Sequence, residues 1–272
     1  MEQLRYKFLL LVLVWMWCLA LGGSSVKAQS SESDVGQDTI AWESLPYADG
    51  EELIYYVYYN WGFLWIPAGE VKFSVIEKET HLEYNVTGRS FASYDEIFKV
   101  RDYYLSEVDK QTFLPTNFRR DILEGNYVRF DSIRFDQETH KVKEYFGKSR
   151  LEAKIYDFQL ENVVQDMVSV IYHLRGQPVE NYTKGERIPV EIFFDKEFFQ
   201  LDVVYKGIVN KKIKGHGRKN VYHLQPELID GYVFKKGDLM DIWVSQDDLK
   251  VPILIESPIS CLLYTSPSPR DS

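Results

Sequence analysis

One stretch sets the pattern of the whole chain: Arg187-Ile188-Pro189-Val190-Glu191-Ile192-Phe193-Phe194-Asp195-Lys196-Glu197-Phe198-Phe199-Gln200-Leu201-Asp202-Val203-Val204-Tyr205. Apolar residues take every second position on both sides of Asp195, first Ile188, Val190, Ile192 and Phe194, then Phe199, Leu201, Val203 and Tyr205. Successive side chains of a strand point to opposite sides, so a period of two indicates strands with one buried face. Two such runs with a short polar connection predict a pair of antiparallel strands.

The same alternation recurs along most of the chain and predicts about twelve strands. Outside the first stretch they fall at 51–61, 68–77, 82–86, 102–108, 116–123, 127–135, 141–146, 211–216, 221–228, 239–245 and 251–256. No alternation of strands with helices supports a parallel sheet, so the predicted fold class is all-β and mainly antiparallel. A sheet this long must curl, close or split, which leaves a curved sheet, a half-barrel and a sandwich as alternatives. Broken parity near Asp131 and Ser132 predicts a bulge there.

One amphipathic helix is predicted at residues 162–175. Its apolar positions recur at helical spacing, namely Val164, Met167, Val168, Ile171 and Leu174. Asn162 is a candidate cap, and Gly176 follows the last turn, where glycine commonly ends helices. His173 and Arg175 lie in that last turn, where positive charge suits the helix dipole. The predicted role is to cover one face of the sheet.

Both ends of the chain differ in composition from its middle. Residues 1–28 combine Arg5 and Lys7 with fourteen uncharged, mostly apolar residues and end in Val26-Lys27-Ala28, the pattern of a cleaved export signal. Residues 29–45 form a polar, flexible lead-in, and residues 46–260 a single β-rich domain. Residues 261–272 resemble a non-native, adapter-derived tail; a flexible Ser/Pro tail is the alternative. We therefore expect an exported chain without a membrane-spanning segment after signal cleavage, located in the periplasm or at the outer envelope.

Net charge excludes one broad class of partner. The chain has 32 Lys and Arg against 41 Asp and Glu; without the two ends, which hold four of the bases and two of the acids, 28 bases face 39 acids, a net charge of −11. General nucleic-acid binding needs the opposite balance, so no nucleic-acid partner is expected. The exception is a basic stretch at Lys211, Lys212, Lys214, Arg218 and Lys219, predicted to contact an anionic headgroup, glycan or envelope protein. A solvated hairpin around Gly215-His216-Gly217 is the alternative.

Aromatic residues are concentrated between Tyr55 and Trp65. Seven rings fall within eleven residues, in a chain whose aromatic content is 15%. Tyr56, Tyr58, Trp61 and Trp65 are the candidate ligand-binding residues, because rings with a polar tip suit lipid-like or sugar ligands. The alternative is a strand buried between the sheet and the helix.

Motifs for catalysis are missing from the sequence. It contains no G-x-S-x-G, H-E-x-x-H or phosphate-binding glycine loop. The five histidines are scattered, so no metal site and no cofactor are predicted. The acidic pairs Asp95-Glu96 and Asp247-Asp248 lie in turn-like contexts, where solvated acids are expected; a carboxylate pair of a polysaccharide hydrolase stays open.

Three stretches resemble the bacterial domain-of-unknown-function 3108 family. They are Gly50–Tyr55 leading to Ala68-Gly69-Glu70-Val71, the helix segment Gln165–Arg175, and Met240–Ser245 followed by Asp247-Asp248 and Val251-Pro252-Ile253. The resemblance spans residue 47 to about residue 259. It implies an exported protein of Gram-negative, Bacteroidetes-like bacteria, and the family's name assigns no activity.

These observations favour a non-catalytic binding protein that holds a hydrophobic or amphipathic ligand in a curved β-sheet. Two alternatives remain, a hydrolase acting on envelope polysaccharide and a purely structural envelope component. The sequence does not predict an oligomeric state.

Overall fold

The computed structural model describes residues 42–61, 64–213, 217–227, 239–257 and 261–265, without the side chains of residues 43, 59–65 and 261–265. These ranges hold fourteen strands: β1 (Glu52–Trp61), β2 (Leu64–Glu77), β3 (His81–Ser90), β4 (Arg101–Asp109), β5 (Pro115–Glu124), β6 (Tyr127–Asp136), β7 (Lys141–Gly147), β8 (Lys154–Gln159), β9 (Arg187–Phe194), β10 (Glu197–Ile213), β11 (Gly217–Pro226), β12 (Asp241–Ser245), β13 (Pro252–Ser257) and β14 (Cys261–Thr265). They also hold two α-helices, α1 (Ala92–Phe98) and α2 (Ser169–Arg175), and 3-10 turns at Trp42–Ser44 and Val179–Asn181. No helix in these ranges has the length and apolar character needed to span a bilayer.

All fourteen strands belong to one sheet. Their order is β8-β7-β6-β5-β4-β3-β2-β1-β14-β13-β12-β11-β10-β9, with every neighbouring pair antiparallel. The all-β antiparallel prediction is therefore confirmed, with fourteen strands instead of about twelve. The strand β14, formed by the first residues of the suspected tail, pairs with β1 on one side and β13 on the other. The non-native origin of that tail stays a prediction.

The sheet is open but strongly curled. Its terminal strands β8 and β9 share no ladder in the described ranges, yet the rings of Phe158 and Phe193 on these strands have centroids 5.0 Å apart. The backbone at Gln165 forms a parallel bridge to Ile192 and covers the free edge of β9. Covering an edge in this way prevents pairing with another chain. The half-barrel is the predicted alternative that fits this geometry.

The concave side of the curl is filled by α2. The ring of Tyr172 stacks on Tyr84 of β3 at 3.9 Å between centroids and meets Tyr47 edge-on at 5.0 Å. Arg175 at the end of α2 donates to Glu51 at 2.6 Å and to the Leu249 carbonyl, in the β12–β13 turn, at 3.0 Å. The helix thus contacts both β3 and the β12–β13 turn, which are far apart in the sheet order, and this places it inside the curl.

Helix α2 begins at residue 169, seven residues later than the prediction of 162–175. The Asp166 carboxylate accepts hydrogen bonds from the backbone N–H groups of Val168 and Ser169, at 2.7 and 2.9 Å. Aspartate in this role marks the start of a helix, so the chain before it stays extended along β9. Asn162, the predicted cap, instead donates to Glu191 at 3.0 Å. Gly176 does follow the last turn, as predicted.

The predicted bulge near Asp131 and Ser132 is wrong. The β5–β6 register runs without a break from Asn117 opposite Arg134 to Glu124 opposite Tyr127. The alternation of apolar and polar residues is interrupted for a different reason. The charged residues Arg129 and Asp131 occupy inward positions of β6, while Phe130 points outward and is only 7% exposed. β6 is therefore a regular strand whose inward face carries buried charged side chains.

Replacing Gly69 by alanine is expected to reduce the free energy of unfolding by about 1–3 kcal/mol, as overpacking does. A Cβ at residue 69 would lie 2.4 Å from the backbone carbonyl oxygen of Arg89 on β3, so two neighbouring strands would have to separate. Urea denaturation measures the change, with the exposed Thr87→Ala on β3 as control. A loss no larger than that of the control would contradict the expected clash.

Candidate functional site

Strand alternation divides β4 to β7 into inward and outward side chains. On the outward face, the register aligns Leu105, Arg119, Ser132 and Tyr145 in one row across the four strands. A second row holds Glu107, Asn117, Arg134 and Lys143. Side chains directly opposite each other on paired strands are in contact range, so the two rows form one continuous surface.

A groove of about 540 Å³ lies in this surface. It is lined by Leu105, Glu107, Asn117, Phe118, Arg119, Phe130, Ser132, Arg134, Tyr145 and Arg150. Ligand sites for small molecules typically have volumes of about 300–1,000 Å³, so the groove is large enough for one. Arg150 reaches it from the connection between β7 and β8, and the other lining residues come from β4 to β7.

Two of the three groove arginines have no carboxylate partner within the described part of the chain. Arg134 lies with its guanidinium 5.9 Å from the ring centroid of Tyr145, and Arg150 is exposed. Arg119 differs, because its Nε donates to Asp121 at 2.7 Å. A guanidinium presents N–H donors in a planar fork that matches carboxylate, phosphate or sulfate oxygens. The groove can therefore bind an anionic group.

Apolar side chains form the smaller part of a mostly polar groove lining. Phe130 forms part of it, with the Arg119 guanidinium 5.8 Å from its ring centroid, and Leu105 and Tyr145 are half-buried beside it. The acid in the groove, Glu107, accepts a hydrogen bond from the Asn117 amide at 2.7 Å. Aromatic and aliphatic side chains next to unpaired arginines can hold an apolar or ring-shaped body attached to an anionic group.

Behind this surface, the inward side chains of the same strands form a buried charge cluster. Arg120 of β5 lies directly opposite Asp131 of β6, with 2.8 Å between guanidinium nitrogen and carboxylate oxygen, and both are almost completely buried. The β9–β10 turn places Asp195 against Arg129 and 3.7 Å from Arg120. Asp195 and Lys196 both have positive φ, 54° and 68°, the conformation of a tight hairpin turn.

Two carboxyl pairs within the cluster hold protons at neutral pH. Burial, followed by the neighbouring Asp102, raises the pKa of Glu124 to about 10. Burial also raises the pKa of Asp102 to about 7, and burial with the adjacent Asp131 raises that of Glu144 to about 9. A protonated carboxyl beside a carboxylate avoids two like charges in a site of low dielectric constant. Arg120 favours the charged form of all these groups.

Solvent access argues against catalysis at this cluster. Asp131 and Glu144 have no exposed surface, and Arg120 is 1% exposed. A hydrolase needs its acid and base within hydrogen-bond reach of the substrate. The carboxyl pairs resemble those of a glycosidase only in residue type, and their burial assigns them to the interior of the fold.

The aromatic candidates divide between the two faces of β1. Tyr55 and Val57 are buried in the core, where Tyr55 packs edge-on against Phe73 at 5.6 Å. Tyr56 and Tyr58 point the other way and are half-buried, with Tyr56 6.3 Å from Phe91. The side chains of Trp61 and Trp65 lie outside the described residues. Tyr56 and Tyr58 therefore lie on the face of β1 opposite to the core side, and their role in ligand binding stays a prediction.

The basic candidates are not equivalent. Lys211 pairs with Glu256 at 3.2 Å and lies 3.4 Å from the Trp243 ring centroid, so its charge already has partners. Lys212, Arg218 and Lys219 are exposed, with Lys212 directly opposite Arg218 and Lys219 opposite Lys211. Lys214 lies outside the described residues. Lys212, Arg218 and Lys219 can therefore still contact an anion. Lys211 is a weaker candidate, because Glu256 already neutralises part of its charge.

The turn acids have structural partners. The predicted turn context is wrong for Asp95 and Glu96, which lie in α1; Asp95 forms an ion pair with Arg101 at 2.5 Å. Asp247 accepts the backbone N–H groups of Leu249 and Lys250. The arginine groove was absent from the sequence predictions. Its signal was the spacing Arg119-x-Asp121 and Ser132-x-Arg134 on neighbouring strands, which places arginines on one face only once the register is known.

Comparisons with known proteins were consistent with the fold. The protein-family model described as "Protein of unknown function (DUF3108)" matches residues 54–261. No curated protein matches the chain. One similar solved structure is titled "Crystal Structure of Beta-barrel-like Protein of Domain of Unknown Function DUF1849 from Brucella abortus", with 11% identity, a TM-score of 0.53, and coverage of 79% of this chain and 94% of that one. At this identity, the likeness concerns the fold alone.

Proposed function

The chain belongs to the DUF3108 family of proteins of unknown function, and from that premise we propose that it is a non-catalytic binding protein for anionic amphipathic ligands. The ligand joins a carboxylate or phosphate group to an apolar body and binds in the groove on the outer face of β4 to β7. The observation that carries this proposal is that Arg134 and Arg150 line the same groove as the rings of Phe130 and Tyr145, and that neither arginine has a carboxylate partner in the described ranges.

The outer groove supports binding better than the concave side does. On the concave side, the rings of Tyr172, Tyr84 and Tyr47 are in mutual contact, and Arg175 is tied to Glu51. A ligand there would have to displace packed core side chains, which is unfavourable in an interior of crystal-like density. The curved sheet remains the binding element, with its convex face as the site.

Export belongs to the same proposal. The leader pattern of residues 1–28 supports a working location in the periplasm or at the outer envelope, where anionic amphiphiles are abundant membrane components. The hydrolase alternative gains no support from the carboxyl pairs, because they are buried. The alternative of a purely structural role does not account for Arg134 and Arg150, which have no carboxylate partner in the described ranges.

Dodecyl phosphate, below its micelle concentration, is the probe for this site. Calorimetric titration is expected to show binding, with dodecyl maltoside, which has the same tail and a neutral head, bound at least tenfold more weakly. The double variant Arg134→Ala/Arg150→Ala is expected to weaken dodecyl phosphate binding at least tenfold, because the anion loses both guanidinium partners. Both substitutions are on exposed side chains, so the fold should persist.

The matched control removes two charges elsewhere. Arg218→Ala/Lys219→Ala lowers the net charge equally at the β10–β11 hairpin and should leave dodecyl phosphate binding unchanged. If this control loses affinity while the groove variant keeps it, the anion site is the hairpin and the groove proposal is wrong. Equal affinity for the two detergents would also contradict it, since the arginines would then contribute nothing.

A further inference from the structure

A second cluster on the outward face of the sheet brings three metal-binding residue types together. His81 and Glu83 are two residues apart on β3 and therefore share a face. Glu107 on β4 lies directly opposite Glu83. One potential ligand atom from each of the three side chains lies within 4.8 Å of the other two.

The His81 ring has one nitrogen engaged and one unpaired. Its Nδ1 is 3.2 Å from the Thr80 hydroxyl, a contact that fixes the ring orientation. Its Nε2 is buried and has no hydrogen-bond partner, with the nearest Glu83 oxygen at 3.7 Å, too far for a hydrogen bond. Histidines that bind metals typically have this arrangement, in which the second nitrogen is held by a neighbouring polar group.

The two glutamates add a charge that needs compensation. Carboxylates directly opposite each other on paired strands destabilise a sheet. The Lys78 ammonium is 3.6 Å from Glu83, and the Asn117 amide donates to one oxygen of Glu107 at 2.7 Å. The amide orients the Glu107 carboxylate without neutralising it, so the cluster retains negative charge beside an unpaired imidazole nitrogen.

We propose that His81, Glu83 and Glu107 bind a divalent transition-metal ion of the Zn²⁺ type. Zinc takes both imidazole nitrogens and carboxylate oxygens as ligands, and zinc sites with three protein ligands keep one position open. No metal site is predicted from the sequence alone, because the five histidines are scattered along the chain. The inference does not rest on the amphiphile proposal; Glu107 also lines the groove, so the bound ion lies at its edge.

Tag-free protein stripped with a chelator and titrated with ZnCl₂ tests the site. Calorimetry is expected to give stoichiometric binding, and Co²⁺ as a spectroscopic substitute should show d–d absorption bands of low coordination number. His81→Ala and Glu107→Gln should each weaken Zn²⁺ binding at least tenfold. Glutamine can still accept the Asn117 hydrogen bond, so the second variant keeps the local structure while removing the charge.

Two histidine variants outside the cluster serve as controls. His140→Asn, in a turn whose positive φ of 53° suits asparagine, should bind Zn²⁺ like the unchanged protein. His223→Ala should do the same, although His223 has Asp241 at 2.6 Å. Unchanged Zn²⁺ affinity in both cluster variants, measured on protein with an intact far-ultraviolet dichroism spectrum, overturns the proposal. Loss of binding in His223→Ala alone also overturns it.

Discussion

Replacing Arg120 by alanine is expected to lower the free energy of unfolding by about 3–5 kcal/mol, as the loss of one partner from a buried ion pair does. Asp131, 2.8 Å away and without exposed surface, would keep a buried charge without its directly opposite cation. The variant would also lose the contact of the guanidinium with the Phe194 ring, 4.3 Å from its centroid. Urea or guanidinium denaturation at neutral pH measures the change.

Arg119→Ala is the matched control for this experiment. Arg119 is the preceding residue of β5 and also pairs with an aspartate, Asp121, at 2.7 Å, but about half of its side chain is exposed. An exposed pair contributes about 0–1 kcal/mol, so the control should change stability by no more than that. If the two variants lose equal amounts, burial of the Arg120–Asp131 pair does not determine its contribution.

The fold class could be predicted from period-two alternation because one face of most strands packs on a common core. In β9, for example, Ile188, Val190 and Ile192 alternate and are all buried. The order of strands could not be predicted in the same way. That β14 lies between β1 and β13 depends on pairings across the whole chain, which alternation does not specify.

Charged inward positions explain why β6 was interpreted wrongly. A polar residue at an alternating position normally marks the solvent face, whereas Arg129 and Asp131 face the interior because Asp195 and Arg120 compensate their charges. Those partners come from different strands and a distant turn. The sequence of β6 alone therefore does not show that its buried charges are neutralised by ion pairs. Its interrupted alternation of apolar and polar residues is then mistaken for a bulge.

The candidate site depended on register in the same way. Arg134 and Arg150 are sixteen positions apart in the chain, on β6 and on the β7–β8 connection, yet both line the groove. The aromatic cluster at Tyr55–Trp65 was visible in composition, yet alternation sends Tyr55 into the core and Tyr56 outward. The concentration of aromatic residues thus identifies β1 from the sequence, but the contacts of each ring depend on the strands that pair with β1.

Stability is expected to fall as pH rises from 5 to 9, because of the buried carboxyl pairs. Burial holds the pKa of Glu124 at about 10 and that of Glu144 at about 9, whereas an unfolded glutamate titrates near 4.5. Within this window the native state keeps protons that the unfolded state has released, so each rise in pH favours unfolding. The stabilisation is fully present below pH 4.5 and is lost as pH rises through the native pKa values. Each retained proton contributes a slope of about 1.4 kcal/mol per pH unit.

Glu144→Gln is expected to flatten this dependence by about one proton, since an amide resembles the protonated carboxyl and does not titrate. Denaturation midpoints and m-values collected between pH 5 and pH 9 give the slopes directly, and Glu138→Gln, in the exposed β6–β7 turn, should reproduce the slope of the unchanged protein. A Glu144→Gln curve parallel to that of the unchanged protein would show that Glu144 is ionised in the native state. The interior would then hold more negative charge than Arg120 and Arg129 can neutralise, so the arginine pairs alone could not account for its stability.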